Sequence, residues 1–426
     1  MDYREIGRGV NADMVLGLDL GDLRLHEGQT LYQGHVTLTA TVYDMENGGK
    51  VAFRRTIPDF TFPQNGPRHA TEMSEARFRS LFVEVLSRHV AKYFCAYDFE
   101  EDFARFCGAT HAIGVGNGTD ALWAALIAFG IGQGDEVIVP AFTFVATATA
   151  VAMCGAKPVF ADVDEQTFNI LPAQVEELVT PKTKAVIGVH LFGQPFDVQA
   201  VQECCESHGL KFIEDAAQAH GALYKGQKVG GFGHFGCFSF YATKNMITGE
   251  GGMVTTSEKA YNERLRLIIN HGQSEKYLHT RLGYNYRMTD INAALGIVQL
   301  KKLEKLNQRR RKNAEFYNAN LSVKGLVTPK TVQGVSHVYH QYVVRLTEEF
   351  PMNRTKFMEY LKTKGIGSAV HYPIPLHRQP LFGLKNDPDP CPVSTRLAGT
   401  VLSLPVHPML DQKQLTYICD TINRVK

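Results

Sequence analysis

Lys244 ends an apolar, aromatic run, Cys237-Phe-Ser-Phe-Tyr-Ala-Thr-Lys244-Asn245, and a glycine-rich turn, Gly249-Glu250-Gly251-Gly252, follows it. A free lysine amine titrates near ~10.4 and is mostly protonated at neutral pH. Partial burial lowers that value and frees the amine to attack a carbonyl, giving a Schiff base. The alternative is a lysine at a strand end that reaches solvent. Asp215 closes a second apolar run, Lys211-Phe-Ile-Glu-Asp215. A carboxylate at the carboxyl end of a central strand is costly without a partner. A pyridinium nitrogen would be such a partner, because an ionised Asp keeps it protonated and makes the ring an electron sink. A carboxylate capping a neighbouring helix is the competing reading. Gln218, three residues on, could reach the same ring or its oxygen, whereas His220 reads as a packed, hydrogen-bonded histidine.

Two further segments carry suitable groups. Asn117-Gly118-Thr119-Asp120 lies between a strand pattern and a helix pattern. Free N–H groups at a helix start bind phosphate, and glycine lets the backbone approach closely. The Thr119 hydroxyl would add a donor, and Ser239, five residues before Lys244, could supply another. The same four residues would also serve as an ordinary capping turn. Phe142 and Phe144 flank Thr143 after another strand; by alternation one faces the core and the other is free to stack on a flat heterocycle.

The elements that must position these groups change character near residue 98. From Thr30 to Phe62 apolar and polar residues alternate, and Asn47-Gly48-Gly49 interrupts them as a hairpin turn would. Phe78, Leu81, Phe82, Val85, Leu86 and Val90 then fall at helical spacing. From Phe99 onward short apolar runs alternate with helical stretches. Ala112–Val115, Glu136–Val139, Lys157–Ala161, Ala185–Val189 and Lys211–Glu214 read as strands, with helices such as Asp120–Ile131 and Gln199–His208 between them. That grammar predicts an α/β fold with a mostly parallel sheet covered by helices, whose ligand sits beyond the carboxyl ends of the strands. A long helix, Thr289–Leu321, carries a charge-rich stretch read as a solvated face. A smaller α+β portion follows, with a strand at His340–Leu346 and helices at Asn353–Lys364 and Gln412–Val425. The expected units are an N-terminal β-rich extension with an amphipathic helix (1–98), a large cofactor-binding domain (99–325) and a small C-terminal domain (326–426).

Composition narrows the function classes. Among 426 residues, 45 Lys and Arg balance 43 Asp and Glu, which argues against a nucleic-acid partner. No apolar run reaches about 18 residues and the start lacks a signal-peptide layout, so no membrane partner and a cytoplasmic location are expected. The eight cysteines include no Cys-x-x-Cys pair, and Cys204 and Cys205 are adjacent. They read as reduced, mostly buried thiols and not as a metal site.

The order phosphate turn, aromatic, Asp, Ser, Lys resembles a fold-type I pyridoxal-phosphate enzyme. The segments GVGNGTDAL, VPAFTFVATA, VHLFGQPFD, IEDAAQAHGA, FSFYATKNMITGEGG, LGYNYRMTDINAALG, VYHQYVVR and VHYPIPLH are similar to those of the DegT/DnrJ/EryC1/StrS family of nucleotide-sugar aminotransferases, over about three-quarters of the chain. The resemblance implies that Lys244 holds pyridoxal 5'-phosphate and shuttles protons, and that Asp215 pairs with the pyridine nitrogen. It places Phe144 on the ring, Gln218 at the other face or the hydroxyl, and Gly118, Thr119, Asp120 and Ser239 at the phosphate. It implies that Asn285 reaches the phosphate of a neighbouring subunit in a homodimer with shared sites, and that His371 and Tyr372 lie near the sugar nucleotide. The implied reaction moves an amino group from glutamate to a nucleotide-linked ketosugar. The family's sugar dehydratases carry histidine in place of the lysine, so Lys244 argues against that chemistry; a non-catalytic cofactor-binding regulator is the other alternative. Family members place a substrate-side lead-in before the stretch corresponding to Phe99–Gly108. This chain carries residues 1–98 there, which the resemblance leaves uncovered; a fused gene or a misassigned start would account for them.

Overall fold

The computed structural model describes residues 96–383 and 388–426, together with the backbone of 14–24, 31–32, 34–44, 50–62 and 68–69. The chain divides into two compact units, one of Met1–Phe99 with Thr289–Gln299 and one of Glu100–Met288 with Leu300–Lys426. The first contains a three-stranded antiparallel sheet of β1 (Met14–Arg24), β2 (Gly34–Asp44) and β3 (Lys50–Phe62), with β2 in the middle. Asp44 pairs with Lys50, so β2 and β3 form the hairpin expected from the alternation, its turn lying outside the described residues. β1, missed in the sequence, pairs along β2 from Met14 opposite Asp44. The amphipathic stretch Phe78–Val90 also lies outside the described residues.

The larger unit is built on a seven-stranded sheet. Its strands are β4 (His111–Val115), β5 (Glu136–Pro140), β6 (Lys157–Ala161), β7 (Thr183–Val189), β8 (Lys211–Asp215), β9 (Phe235–Ser239) and β10 (Gly252–Thr256), in the spatial order β4-β10-β9-β8-β7-β5-β6. Only β10 runs antiparallel to its neighbours. The five expected strands are present within two residues at each end. β9 and β10 are additions, from glycine-containing runs that carry little strand signal. All five residues of β5, β9 and β10 are buried, as for strands covered on both faces. β8 is the central strand, so Asp215 at its end lies mid-sheet.

Helices α1 (Ala96–Cys107), α2 (Gly118–Phe129), α3 (Ala146–Met153), α4 (Pro172–Leu178), α5 (Val198–Ser207) and α6 (Lys259–Ile268) connect the strands. α2 shows why a helix begins beside the sheet edge. Asn117 is extended at φ −166° and ψ 178°, and its side chain accepts the Asp120 amide hydrogen at 2.9 Å. At the other end Gly130 takes φ 81°, a left-handed value that only glycine adopts at no steric cost. The 31-residue helix α7 (Asp290–Asn320) leads to the C-terminal portion. There β11 (Tyr342–Leu346) pairs antiparallel with β12 (Val401–Leu404) and with the short strand Leu326–Val327. Helices α8 (Arg354–Thr363), α9 (Pro392–Thr400) and α10 (Gln412–Asn423) complete this portion. Tyr317, Tyr342, Phe357, Leu402 and Ile422 lie in a core of its own. Of the seven described cysteines, six are buried and Cys154 partly so, and all are free thiols. No helix among the described residues is long and apolar enough to cross a membrane.

Close backbone approach at the sheet edge is testable. A Cβ on Gly252 would fall 2.3 Å from the Asn117 carbonyl oxygen and 2.9 Å from that of Phe238. Both obstacles are backbone, so neither can rotate away. Gly252→Ala is expected to destabilise the fold by about 1–3 kcal/mol, the usual weight of overpacking. A calorimetric melt unchanged from the wild type would show that the approach is looser than described.

Candidate active site

The carboxyl ends of β4, β5, β8 and β9 and the start of β10 meet along one edge of the sheet. Asp215 is 6% exposed there. Its Oδ2 accepts the Thr147 hydroxyl at 2.9 Å and its Oδ1 accepts the Ala217 amide at 3.2 Å. Burial pushes the Asp215 carboxyl up, and these two donors together with the charge of Lys244 pull it back. Lys244 lies in the loop between β9 and β10. Burial lowers its amine, opposed by the charge of Asp215. The pair is therefore close enough for each charge to shift the other. A buried amine of depressed basicity is the state needed for attack on a carbonyl. Lys244 is partly buried and so is not a lysine fully extended into solvent.

Gln218 is held at both ends. Its Oε1 accepts the Phe192 amide at 2.7 Å, and its Nε2 donates to the Tyr372 hydroxyl at 2.9 Å. The Tyr372 ring lies 6.0 Å from that of Phe144 and 6.3 Å from that of Phe142. Phe142 is 1% exposed and Phe144 51%, so Phe144 is the ring free to cover a flat ligand. His371 donates to or accepts from the Ser403 hydroxyl of β12 at 2.8 Å, and burial followed by the charge of Lys244 lowers its basicity. Lys244, Asp215, Gln218, Phe144, His371 and Tyr372 thus form one connected group.

The second group lies at the start of α2. A Cβ on Gly118 would fall 2.7 Å from the Ser239 Cβ, so the first turn of the helix lies directly against the end of β9. The amides of Gly118 and Thr119 occupy helix positions that have no intrahelical acceptor. Asp120 is placed differently from a direct anion ligand. Its amide is taken by Asn117, and its Oδ2 accepts the Asn117 Nδ2 at 3.0 Å, so its side chain braces the turn. Asn285 bonds to neither group among the described residues, although the carbonyl of its neighbour Tyr286 accepts the Gly116 amide at 2.9 Å. It is exposed in the segment between α6 and α7 and forms an isolated bridge with Asn270.

Sequence reasoning missed several partners. Thr147, on the first turn of α3, stands 68 residues from the carboxylate it bonds. Beneath the site His190 lies 3.1 Å from Glu214, whose carboxylate also accepts the amides of Gly230, Phe232 and Gly233 at 2.7–2.8 Å. Asn245 donates to Asn307 and to the Val338 carbonyl, both at 3.0 Å. His220 is fully buried against Phe238 and Phe240, and burial followed by the charge of Lys244 holds it neutral, at about 3.

The profile of the DegT/DnrJ/EryC1/StrS aminotransferase family matches residues 76–423. This chain belongs to that family. The match begins before Phe99 and takes in the amphipathic stretch Phe78–Val90. A protein named pleiotropic regulatory protein, from Geobacillus stearothermophilus, is 46% identical over 328 residues, which are 76% of this chain and 87% of its own. The UDP-N-acetyl-3-dehydro-alpha-D-glucosamine 3-aminotransferase of Acidithiobacillus ferrooxidans is 43% identical over 326 residues, 76% of this chain and 87% of that one. The crystal structure of S. venezuelae DesV in complex with a ketimine intermediate superposes with a TM-score of 0.73 at 38% identity, covering 77% of this chain and 88% of DesV. The sheet of this family member is the one found in fold-type I pyridoxal-phosphate transferases.

Asp120 provides a pH test. Burial pushes its carboxyl up to about 6 against the pull of the Asn117 amide. A carboxyl raised in the folded state favours the protonated fold. Its contribution is complete below the ordinary carboxylate value near ~3.9 and is lost as the pH rises through about 6. Asp120→Asn removes this loss. The melting temperature of the variant relative to wild type is expected to rise between pH 4 and pH 7; a difference that stays flat across that range would contradict the burial of the carboxyl.

Proposed function

We propose that this chain is a pyridoxal-phosphate-dependent aminotransferase that converts a nucleotide-linked ketosugar to an aminosugar with glutamate as donor. The observation that carries the reading is Asp215, a carboxylate buried at the end of the central strand and held by Thr147 and the Ala217 amide, at the sheet edge to which the Lys244 loop returns; burial lowers the Lys244 amine and the charge of Asp215 opposes that shift. The residues fit the cofactor. Asp215 is a buried carboxylate with two hydrogen-bond donors among the described residues, so a protonated ring nitrogen would complete its partners. Gly118 leaves open the space that a Cβ would fill, at a helix start whose free amides suit a phosphate. Phe144 supplies an exposed ring face.

In this reading Thr147 holds Asp215 in the orientation that meets the ring nitrogen, and Gly118, Thr119 and Ser239 hold the phosphate. When bound, the cofactor supplies an aldehyde for an amine to attack and a ring that withdraws electrons from the carbon undergoing deprotonation. Lys244 is the residue positioned to carry the proton at its Nζ, first from the donor carbon and later to the sugar carbon. Tyr372 and His371 border the sugar side, and the raised hydroxyl of Tyr372, buried first and then opposed by Asp215, keeps it a neutral donor. Asn285, exposed in this chain, suits a role toward a second copy of the chain in a homodimer. The name of the Geobacillus relative favours a regulator as the second reading. The intact lysine and carboxylate weigh against a regulator that lacks chemistry.

Incubation with glutamate and a panel of nucleotide ketosugars, followed by mass analysis of the products, tests the activity. An amino group on none of them, by protein that binds the cofactor, would favour the regulator. Lys244→Ala is expected to abolish transamination and the visible absorbance of lysine-bound cofactor while leaving the melt near that of wild type. Near-normal turnover in this variant would remove Lys244 from the chemistry. Asp215→Asn should keep the cofactor but slow the reaction by more than about tenfold, or roughly 1.4 kcal/mol of barrier. A smaller effect would break the assigned pairing.

A further inference from the structure

We propose that Asn245 is a positioning residue that fixes Lys244 for covalent capture of the cofactor aldehyde, a condensation that forms a C=N bond to Nζ and releases the aldehyde oxygen as water, by fastening the lysine loop to α7 and to the segment before β11. The proposal rests on the reading of Lys244 given above. The loop between β9 and β10 spans residues 240–251 and contains no helix or strand. Its own backbone bonds are few: Lys244 N–H to the Tyr241 carbonyl at 2.9 Å, Thr248 N–H to that of Phe240 at 2.8 Å, and Phe240 N–H to that of Gly251 at 2.8 Å. These close turns within the loop; beyond it the Tyr241 amide reaches the Ser239 hydroxyl at 3.4 Å and the buried Phe240 ring packs on Phe103 and His220, neither of which holds the backbone beside Lys244. A nucleophile on such a segment needs an external anchor, because misplacement by about 1 Å costs on the order of a hundredfold in rate.

Asn245 supplies that anchor. It is 4% exposed, and its Cα is about 3.8 Å from that of Lys244. One Nδ2 hydrogen goes to Asn307 Oδ1 on α7 and the other to the Val338 carbonyl, each at 3.0 Å. Its Oδ1 lies 3.3 Å from His340 Nδ1. An amide oxygen only accepts, so His340 must donate there, which assigns its tautomer from the network. Both donors of the Asn245 amide and one of the two acceptor positions of its oxygen are therefore directed, and a flipped amide would set its oxygen against two acceptors. Asn307 extends the chain by donating to the His220 carbonyl at 2.7 Å, five residues beyond Asp215. The Lys244 loop and the segment after Asp215 are thus fastened to the same residue of α7.

The groups facing this network leave Lys244 with a single counter-charge. Burial, followed by the charges of Lys244 and Arg310, keeps His340 neutral, and His220 and His371 are likewise held neutral by burial and by Lys244. Arg310, one turn beyond Asn307, is buried and forms no ion pair among the described residues. Asp215 is the anion that remains to oppose the lysine. A shift of the lysine by loosening of its anchor changes its distance from Asp215, and so must move its titration.

The test uses the full chain freed of cofactor. Pyridoxal phosphate is added in a stopped-flow spectrometer to wild type, Asn245→Ala, Asn307→Leu and the double variant. Borohydride reduction and mass analysis identify the modified lysine, and melts verify folding. Each folded single variant is expected to capture the cofactor at Lys244 at least about tenfold more slowly, the weight of one lost buried hydrogen bond. The pH midpoint of the bound-cofactor absorbance should move as well. The double variant should be little worse than the slower single variant, because both singles break the same bond. Folded variants with wild-type capture rates and an unmoved midpoint would overturn the proposal, whatever their melting temperatures. Wild-type protein that shows no reducible link at Lys244 would instead overturn the reading beneath it.

Discussion

The site is organised around one costly feature, a carboxylate buried at the end of the central strand of a seven-stranded sheet. β8 in fact buries two carboxylates in succession, and they are treated differently. Glu214, fully buried, accepts three backbone amides and lies beside His190, which leaves it with its lone pairs satisfied. Asp215 receives one hydroxyl and one amide. Adjacent residues of a strand point to opposite faces, so Glu214 stitches the glycine-rich segment 230–233 to the sheet and Asp215 is presented to the ligand edge. A satisfied carboxylate is structural, whereas an under-satisfied one has free capacity to bind a cation. The contrast separates the two carboxylates by the bonds each receives.

Everything else that matters approaches that edge closely. Gly252 sets the start of β10 against the Asn117 carbonyl, and Gly118 sets the start of α2 against Ser239. The antiparallel β10 has a specific consequence here. Because it runs opposite to β9, the chain leaving the end of β9 returns to the same edge after only a short loop, and Lys244 lies in that loop. A parallel successor would need a long crossover instead. The lysine is thereby delivered beside Asp215, the end residue of the adjacent strand, with Cys237 of β9 directly paired to it.

The parallel strands were legible because they are short runs of β-branched and apolar residues bounded by helical periodicity. β9 and β10 were not, since Gly236 and Gly252 dilute the strand signal and the aromatic residues near Lys244 look the same in a loop. Lys244 and Asp215 could be singled out because each ends an apolar run, where a charge is conspicuous. Their supports could not. Thr147 stands 68 residues from Asp215 and Asn307 stands 62 from Asn245, and no local periodicity signals such pairs. Asp120 was legible as part of a turn at a helix start, but only the hydrogen bonds to Asn117 show that its side chain braces the turn. For Asn285, a single chain offers only its exposure.

The C-terminal portion is wired into the site through consecutive residues with different partners. His371 bonds Ser403 on β12, whereas Tyr372 bonds Gln218, whose oxygen in turn holds the Phe192 amide. Phe192 has φ 57°, a left-handed value that a bulky residue adopts only at a cost, and the Gln218 oxygen helps to hold it there. Phe192 also packs its ring edge-on to Phe142, one of the two aromatic residues after β5. A single path therefore runs from the small antiparallel sheet through His371, Tyr372 and Gln218 to the buried aromatic residues beneath the ligand edge. Gln218 is the narrow point of that path, since both ends of its amide are committed. Its side chain cannot turn away without releasing either Tyr372 or the Phe192 amide, so it links the two segments only from the position it already holds.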